Sequence, residues 1–315
     1  MEQFNAVLNQ VLIFLIIMII GFIAVKVKFL AREALPVITR LFTRVIVPFI
    51  LFVNTVNGAT RSELIETLYL SGAYVCVFAV LLTVTRLLPK LLKLKGNKVP
   101  LFSLACSFGN VGFVGIPLLV SVFGQRAMLY VTMYAIVDQF IFWTYGYSLS
   151  FPVENKLKFT PKTLVNMINP PIIAMILSIV MILLDARLPA VLDNAFTSMA
   201  VSGTALPFLY IGGMLATLDI KKLLSHYEFY IGISVKMVIM PILIFLAIRA
   251  LGISQEIAVS SALLFGLPTI ALVPMIAGAN GSDVEYGTAL VLVYTVASLI
   301  TLTLVSYITT ISHNN

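Results

Sequence analysis

At 315 residues the chain is long enough for two soluble domains, but a mean hydropathy of +1.07, with 60% hydrophobic and 10% charged residues, excludes them; soluble domains carry about 25% charged residues. What remains is a polytopic membrane protein whose first partner is the lipid bilayer. The net charge of +7 calls for no nucleic acid, since unequal loop charges across a membrane account for it. Cys76 and Cys106 fall in apolar stretches and offer neither a disulfide framework nor metal-ligand spacing.

A bilayer core asks for roughly 20 apolar residues per helix. Ten such stretches follow one another, at about 6–25, 35–56, 66–88, 99–122, 127–151, 164–184, 196–218, 226–250, 255–279 and 285–311. The first follows a nearly neutral segment without a basic n-region or a small-residue cleavage site, so a retained helix is expected. The longest polar break, VENKLKFTPKT at 153–163, divides the chain into halves 1–152 and 164–315 as a cytoplasmic linker. Loops after odd-numbered stretches, with the stretch ends beside them, hold 15 basic residues, among them Arg32, Arg40, Arg44, Lys156, Lys158, Lys162, Lys221 and Lys222. Loops after even-numbered stretches, counted the same way, hold 4, namely Arg61, Arg126, Arg187 and Arg249. Basic loops mark the cytoplasmic side, so the chain is expected to be multi-pass in a cytoplasmic membrane with both termini outside.

The fourth and ninth stretches are not plain spanning helices. SFGNVGFVGIPLL at 107–119 holds Gly109, Asn110, Gly112, Gly115 and Pro117; LFGLPTIALVPMI at 264–276 holds Gly266, Pro268, Thr269 and Pro274. Glycine and proline weaken the helical ladder, and Asn110 brings an amide that hydrocarbon cannot satisfy. Gly109, Pro117, Pro268 and Pro274 are therefore the expected helix-break positions. The motifs keep register: Phe108-Gly109 on Phe265-Gly266, Pro117 on Pro274 and Gly124 on Gly281 share an offset of 157, and VPFILF at 47–52 matches LPFLYI at 206–211. Five helices per half force the second half to enter with opposite orientation. The expected fold is an all-α bundle of ten transmembrane helices in a 5+5 inverted-topology repeat, the build of secondary transporters with alternating access. Crossing broken helices would aim half-helix N-termini at one point, where their partial positive charge suits an anion such as a carboxylate. The candidate substrate-binding residues are Asn110, Gly109, Gly112, Pro268 and Thr269, joined by Asn54, which with Asn57 ends the second stretch.

Ionisable residues inside spans are expensive and mark function. Asp138, followed by Gln139 in the fifth stretch, and Lys236 in the eighth read either as a structural ion pair or as a coupling site that titrates at Asp138. His226 lies in a loop and His313 in the tail, so neither suggests a ligand. No HExxH or GxxxxGK[ST] is present, which argues against a membrane metalloprotease and an ATP-driven pump. A non-enzymatic protein without metal or cofactor is expected, with coupling to a proton or sodium left open.

These residues together resemble the auxin efflux carrier family, which includes plant auxin carriers and bacterial malonate and malate permeases. GFIAVKVKFL with TRLFTRVIVPFILF is similar to the family's first two spans, GNVGFVGIPLL to its fourth, INPPIIAMILS to the start of its sixth and GLPTIALVPMIAGAN to its ninth. The resemblance implies a bile-acid-symporter-like fold, with a scaffold of spans 1, 2, 6 and 7 and a transport domain of spans 3–5 and 8–10. It also implies a carboxylate beside the crossing at Asn110, and a homodimer through the scaffold. Gly109 departs from the proline that plant carriers place before this asparagine. The third span, YLSGAYVCVFAVLLTV, lacks their charged pair, and their long cytoplasmic loop is missing, as in the short bacterial type. The function expected is secondary transport of a small organic anion. The alternatives are a cation/proton antiporter working through Asp138 and a membrane receptor or sensor that transports nothing.

Overall fold

A computed structural model of the chain describes residues 2–58, 60–66, 68–124, 127–155, 170–217 and 225–311. Residues 156–163 of the expected linker, the basic residues Arg126, Lys156, Lys158, Lys162, Lys221 and Lys222, and His313 lie outside the described residues. The described backbone is helical apart from turns, short loops and one isolated antiparallel bridge. In chain order the helices are α1 (Glu2–Lys26), α2 (Arg32–Gly58), α3 (Leu68–Leu91), α4 (Lys98–Ser107), α5 (Val111–Phe123) and α6 (Ala127–Thr144). They continue as α7 (Pro170–Leu183), α8 (Ala190–Leu215), α9 (Tyr227–Ala250), α10 (Gln255–Phe265), α11 (Val273–Ala279) and α12 (Val284–Ile311). Among the described residues, five helices are long and apolar enough to cross a membrane: α2, α3, α8, α9 and Val284–Thr309 of α12. Leu12–Lys26, α5, α7 and α10 are shorter apolar helices. This is a multi-pass, all-helical membrane protein.

Three π turns, at Phe42–Ile46, Val111–Gly115 and Val235–Ile239, insert wide turns into α2, α5 and α9. Gly124 and Gly281, the pair related by the 157-residue offset, follow α5 and α11 and both adopt positive φ, 68° and 73°. Only glycine takes that conformation cheaply, so each ends its helix.

Packing joins α1 to the second half of α8, and α2 to both α7 and α8. Small residues allow the first contact: an added Cβ at Gly21 would overlap the backbone of Leu209, and one at Gly212 the backbone of Met18. Phe14 stacks on Phe208 at 3.9 Å beside them. A second group packs α3 on α4 and α6, and α10 on α6, α9 and α12. Its centre is aromatic. Phe78 lies 6.1 Å from Phe108 and 5.0 Å from Phe265, so one ring holds the two phenylalanines 157 residues apart in sequence.

Candidate functional site at the paired helix interruptions

After α4 ends at Ser107 the chain turns extended at Phe108, with φ −114° and ψ 131°, and resumes a helix at Val111. The second interruption runs from Gly266 to Leu272, between α10 and α11. The two meet. Gly109 and Thr269 form the antiparallel bridge, the Asn110 N–H donates to the Pro268 carbonyl at 2.8 Å, and the Ile270 N–H donates to the Phe108 carbonyl at 3.2 Å. Backbone groups exposed by each break are thus satisfied by the other, as a site surrounded by hydrocarbon demands. Gly109 permits the approach, because a Cβ there would stand 2.9 Å from the Leu267 Cβ.

The carbonyls left over at the end of α4 are also taken. Thr269 Oγ1 donates to the Ala105 carbonyl at 2.9 Å, and Lys236 Nζ donates to the carbonyls of Ala105 and Phe108 at 2.9 and 2.8 Å.

Beside the pairing lies a cavity of about 450 Å³. Asn110 to Phe113 at the start of α5 and Ile270 to Leu272 ahead of α11 form one wall. Thr132, Ala135, Gln139 and Trp143 of α6, Asn54, Thr55 and Asn57 of α2, and Thr197 and Thr204 of α8 contribute to the rest. Asn110 is 2% exposed, and its Nδ2 has no hydrogen-bond partner among the described residues. The Asn110 carbonyl accepts from both Val114 and Gly115, at 3.0 and 3.1 Å. The N–H groups of the first turn of α5 have no partners within the helix. An added Cβ at Gly112 would meet nothing within 4 Å, so this position opens into free space. No charged side chain lines the cavity among the described residues.

Two further cavities follow α2. One of about 950 Å³ lies at its Arg32 end, lined by Arg32, Arg40, Arg44, Tyr147 and Glu285. The other, of about 750 Å³, lies at its Gly58 end beside Arg61, Glu63, Asp185, Arg187 and Asp193. Hydrogen bonds from the Thr60 backbone and hydroxyl hold the Glu63 carboxyl there below its ordinary pKa. Trp143 borders both the central and the basic cavity, and Asn57 borders the central cavity and the one at Gly58.

Of the residues expected at the site, Asn110, Gly112 and Asn54 line the central cavity. Gly109, Pro268 and Thr269 sit in the pairing behind it and shape the site without facing the space. Pro117 and Pro274 do not break helices. Pro274 occupies the first turn of Val273–Ala279, where proline's missing N–H removes no bond, and Pro117 follows the π turn Val111–Gly115 inside α5, which continues through it to Phe123. Asp138 and Lys236 are not joined by a salt bridge. Lys236 serves the carbonyls of α4, while Asp138 Oδ2 accepts from Gln139 Nε2 at 2.7 Å and Oδ1 has no partner among the described residues. Gln139, Thr132 and Trp143 are cavity residues that the sequence reading did not select. Their spacing with Ala135 (132, 135, 139, 143) is that of one helical face, the signal that could have found them.

The chain matches the family described as membrane transport protein over residues 6–306, a stretch that includes the whole of this site. No curated protein matches it. With paired interruptions, an uncharged cavity beside them and a match of that extent, the chain belongs to the membrane transport protein family, the auxin efflux carriers.

Proposed function

We propose that this transporter is a secondary carrier of a small organic anion, with one carboxylate on a mainly apolar body, working by alternating access in the cytoplasmic membrane. The observation that carries the reading is the buried Asn110 Nδ2, without a partner among the described residues, at the wall of an uncharged cavity and at the N-terminus of α5. A helix N-terminus and an amide donor together favour one anionic group. A second carboxylate would find no basic side chain in the lining, and an unpaired buried charge costs several kcal/mol. The malonate-like dicarboxylates are therefore the poorer fit.

The ten-span inverted repeat is the architecture that supports such a carrier. Lys98 and Gln255 open α4 and α10, and Ala127 and Val284 open α6 and α12, each pair 157 residues apart as in the sequence motifs. The scaffold is then α1, α2, α7 and α8, and the moving part holds α3 to α6 and α9 to α12. The succession of cavities along α2, with Trp143 shared by two of them and Asn57 by two, supports a route past the central cavity for such a carrier.

The test is counterflow in proteoliposomes with paired mono- and dicarboxylates of equal carbon number. Saturable exchange favouring the monocarboxylates is expected; binding without exchange would leave a receptor instead. Gly112→Leu is expected to fold with a stability change within about 0.5 kcal/mol, as at other open positions. It should slow the bulkiest substrates most, read as a size-dependent rise in KM.

One observation favours a second reading. Asp138 is fully buried, and its Oδ1 has no partner among the described residues, a group able to take up a proton during a cycle. Asp138→Asn separates the two: an antiporter titrating at Asp138 loses proton-driven flux altogether, whereas anion counterflow, which needs no net proton movement, persists.

A further inference from the structure

We propose that Lys236 is a built-in counter-cation: its ammonium fills the place, at the carbonyl end of α4, that a coupling Na⁺ would otherwise take. The wild-type protein then needs no free metal cation at the crossing, and removal of the side chain opens a site for a small monovalent cation. This rests on reading the crossing as the centre of a transport cycle.

Unwound carbonyls and half-helix C-termini are where transporters with broken helices hold Na⁺, because the last carbonyls lack partners and carry the negative end of the helix dipole. Here that end is already filled. Lys236 Nζ lies 2.9 Å from the Ala105 carbonyl and 2.8 Å from the Phe108 carbonyl, with Thr269 Oγ1 on the same Ala105 oxygen. These are lengths of charge-assisted hydrogen bonds. The two carbonyls are also hard oxygen donors of the kind a bare alkali cation would take, with the Thr269 hydroxyl held beside them on the Ala105 oxygen. The ammonium has no acidic partner in salt-bridge contact among the described residues, and the carbonyl oxygens of the break solvate it directly.

A second observation sets this lysine apart from a merely buried one. Lys236 is 1% exposed and lies within the π turn Val235–Ile239, the wide turn that interrupts α9 beside the crossing. Such turns disturb the regular helical register and occur mostly at functional positions. The same group links three elements: α9 supplies the cation, α4 the carbonyls, and the segment before α11 the Thr269 hydroxyl.

The experiment uses the purified full chain in detergent, and its thermal midpoint is recorded in chlorides of N-methylglucamine, K⁺, Na⁺ and ethylammonium at equal ionic strength. Wild type is expected to unfold at one temperature in all four. Lys236→Ala should unfold earlier in N-methylglucamine and recover in a saturable way with Na⁺ or ethylammonium. Lys236→Met, which refills the space without the charge, should not recover. In proteoliposomes, Lys236→Ala flux should fall about tenfold or more, as for loss of a hydrogen bond to a charged group, and return in part with the same cations. Saturable stabilisation of the wild type by Na⁺ alone overturns the proposal, and so does a folded Lys236→Ala that no small cation rescues. Should neither variant be obtained folded, wild-type flux decides: equal rates in Na⁺ and N-methylglucamine support the proposal, and a tenfold loss without Na⁺ refutes it. The midpoint needs no substrate, so this inference and the carboxylate assignment fail separately.

Discussion

Asn110→Asp is expected to abolish carboxylate uptake, and Asn110→Ala to lower it by roughly 10–100-fold, the range for removing one hydrogen bond to a charged group. The aspartate is nearly isosteric but replaces the only unpartnered donor of the buried amide with a negative charge, at the point where the substrate's own charge would sit. Both variants keep the main-chain bonds of residue 110 to Pro268, Val114 and Gly115, so Asn110→Ala should insert and fold as the wild type does, while the buried aspartate lowers stability and its uptake is compared at equal folded protein. Size-exclusion profiles check folding, and uptake per folded protein gives the effect. The direction is diagnostic: a cation carrier would tolerate or gain from an added carboxylate. Uptake of a carboxylate at the wild-type rate by Asn110→Asp would remove Asn110 from the site.

Gly212→Leu is expected to separate α1 from α8 and to destabilise the fold by about 3 kcal/mol or more, at or beyond the upper end for overpacking. The obstacle is backbone. The new Cβ would fall on the carbonyl group of Met18, and a helix backbone cannot rotate aside as a side chain can. Gly21→Leu should behave alike, since its Cβ would fall on the Leu209 carbonyl. Gly72 on α3 provides the control: nothing lies within 4 Å of its Cβ position, and Gly72→Ala should stabilise slightly by its better helix propensity. Thermal unfolding of the three variants distinguishes a contact effect from a general dislike of glycine replacement.

Much of this arrangement could be read from composition and spacing, and the failures have specific causes. Gly109 and Pro268 marked both interruptions, since glycine and proline in a long apolar run act on the local backbone. Pro274 misled, because the same residue that breaks a helix interior is favourable in its first turn, and Pro117 lies just past a π turn in a helix that runs on through it; residue type alone does not reveal which applies. That Gly109 would lie against Thr269 depends on contacts 160 residues apart, which no local pattern encodes. Asp138 drew attention as the charged residue of its helix, yet its neighbour Gln139 lines the cavity. Adjacent residues point about 100° apart around a helix, and tertiary packing chooses which one faces inward. Lys236 sits in a π turn, whose irregular register defeats the helical-wheel argument that would have aimed it at Asp138 or away from it.

The short ladder between residues 108–110 and 268–270 acts mechanically as a clasp. Pulling the two chains apart would strand the Asn110 and Ile270 amides and the Pro268 carbonyl in a water-poor interior, at a cost of roughly 2–7 kcal/mol for each unmet group. Under the alternating access proposed above, the stroke cannot open this seam: both interrupted helices would travel together, and the yielding surfaces would lie elsewhere, where side chains merely slide. In hydrogen exchange, the amides of Asn110 and Ile270 should accordingly be among the last to accept deuterium, although they stand in the least regular backbone of the molecule.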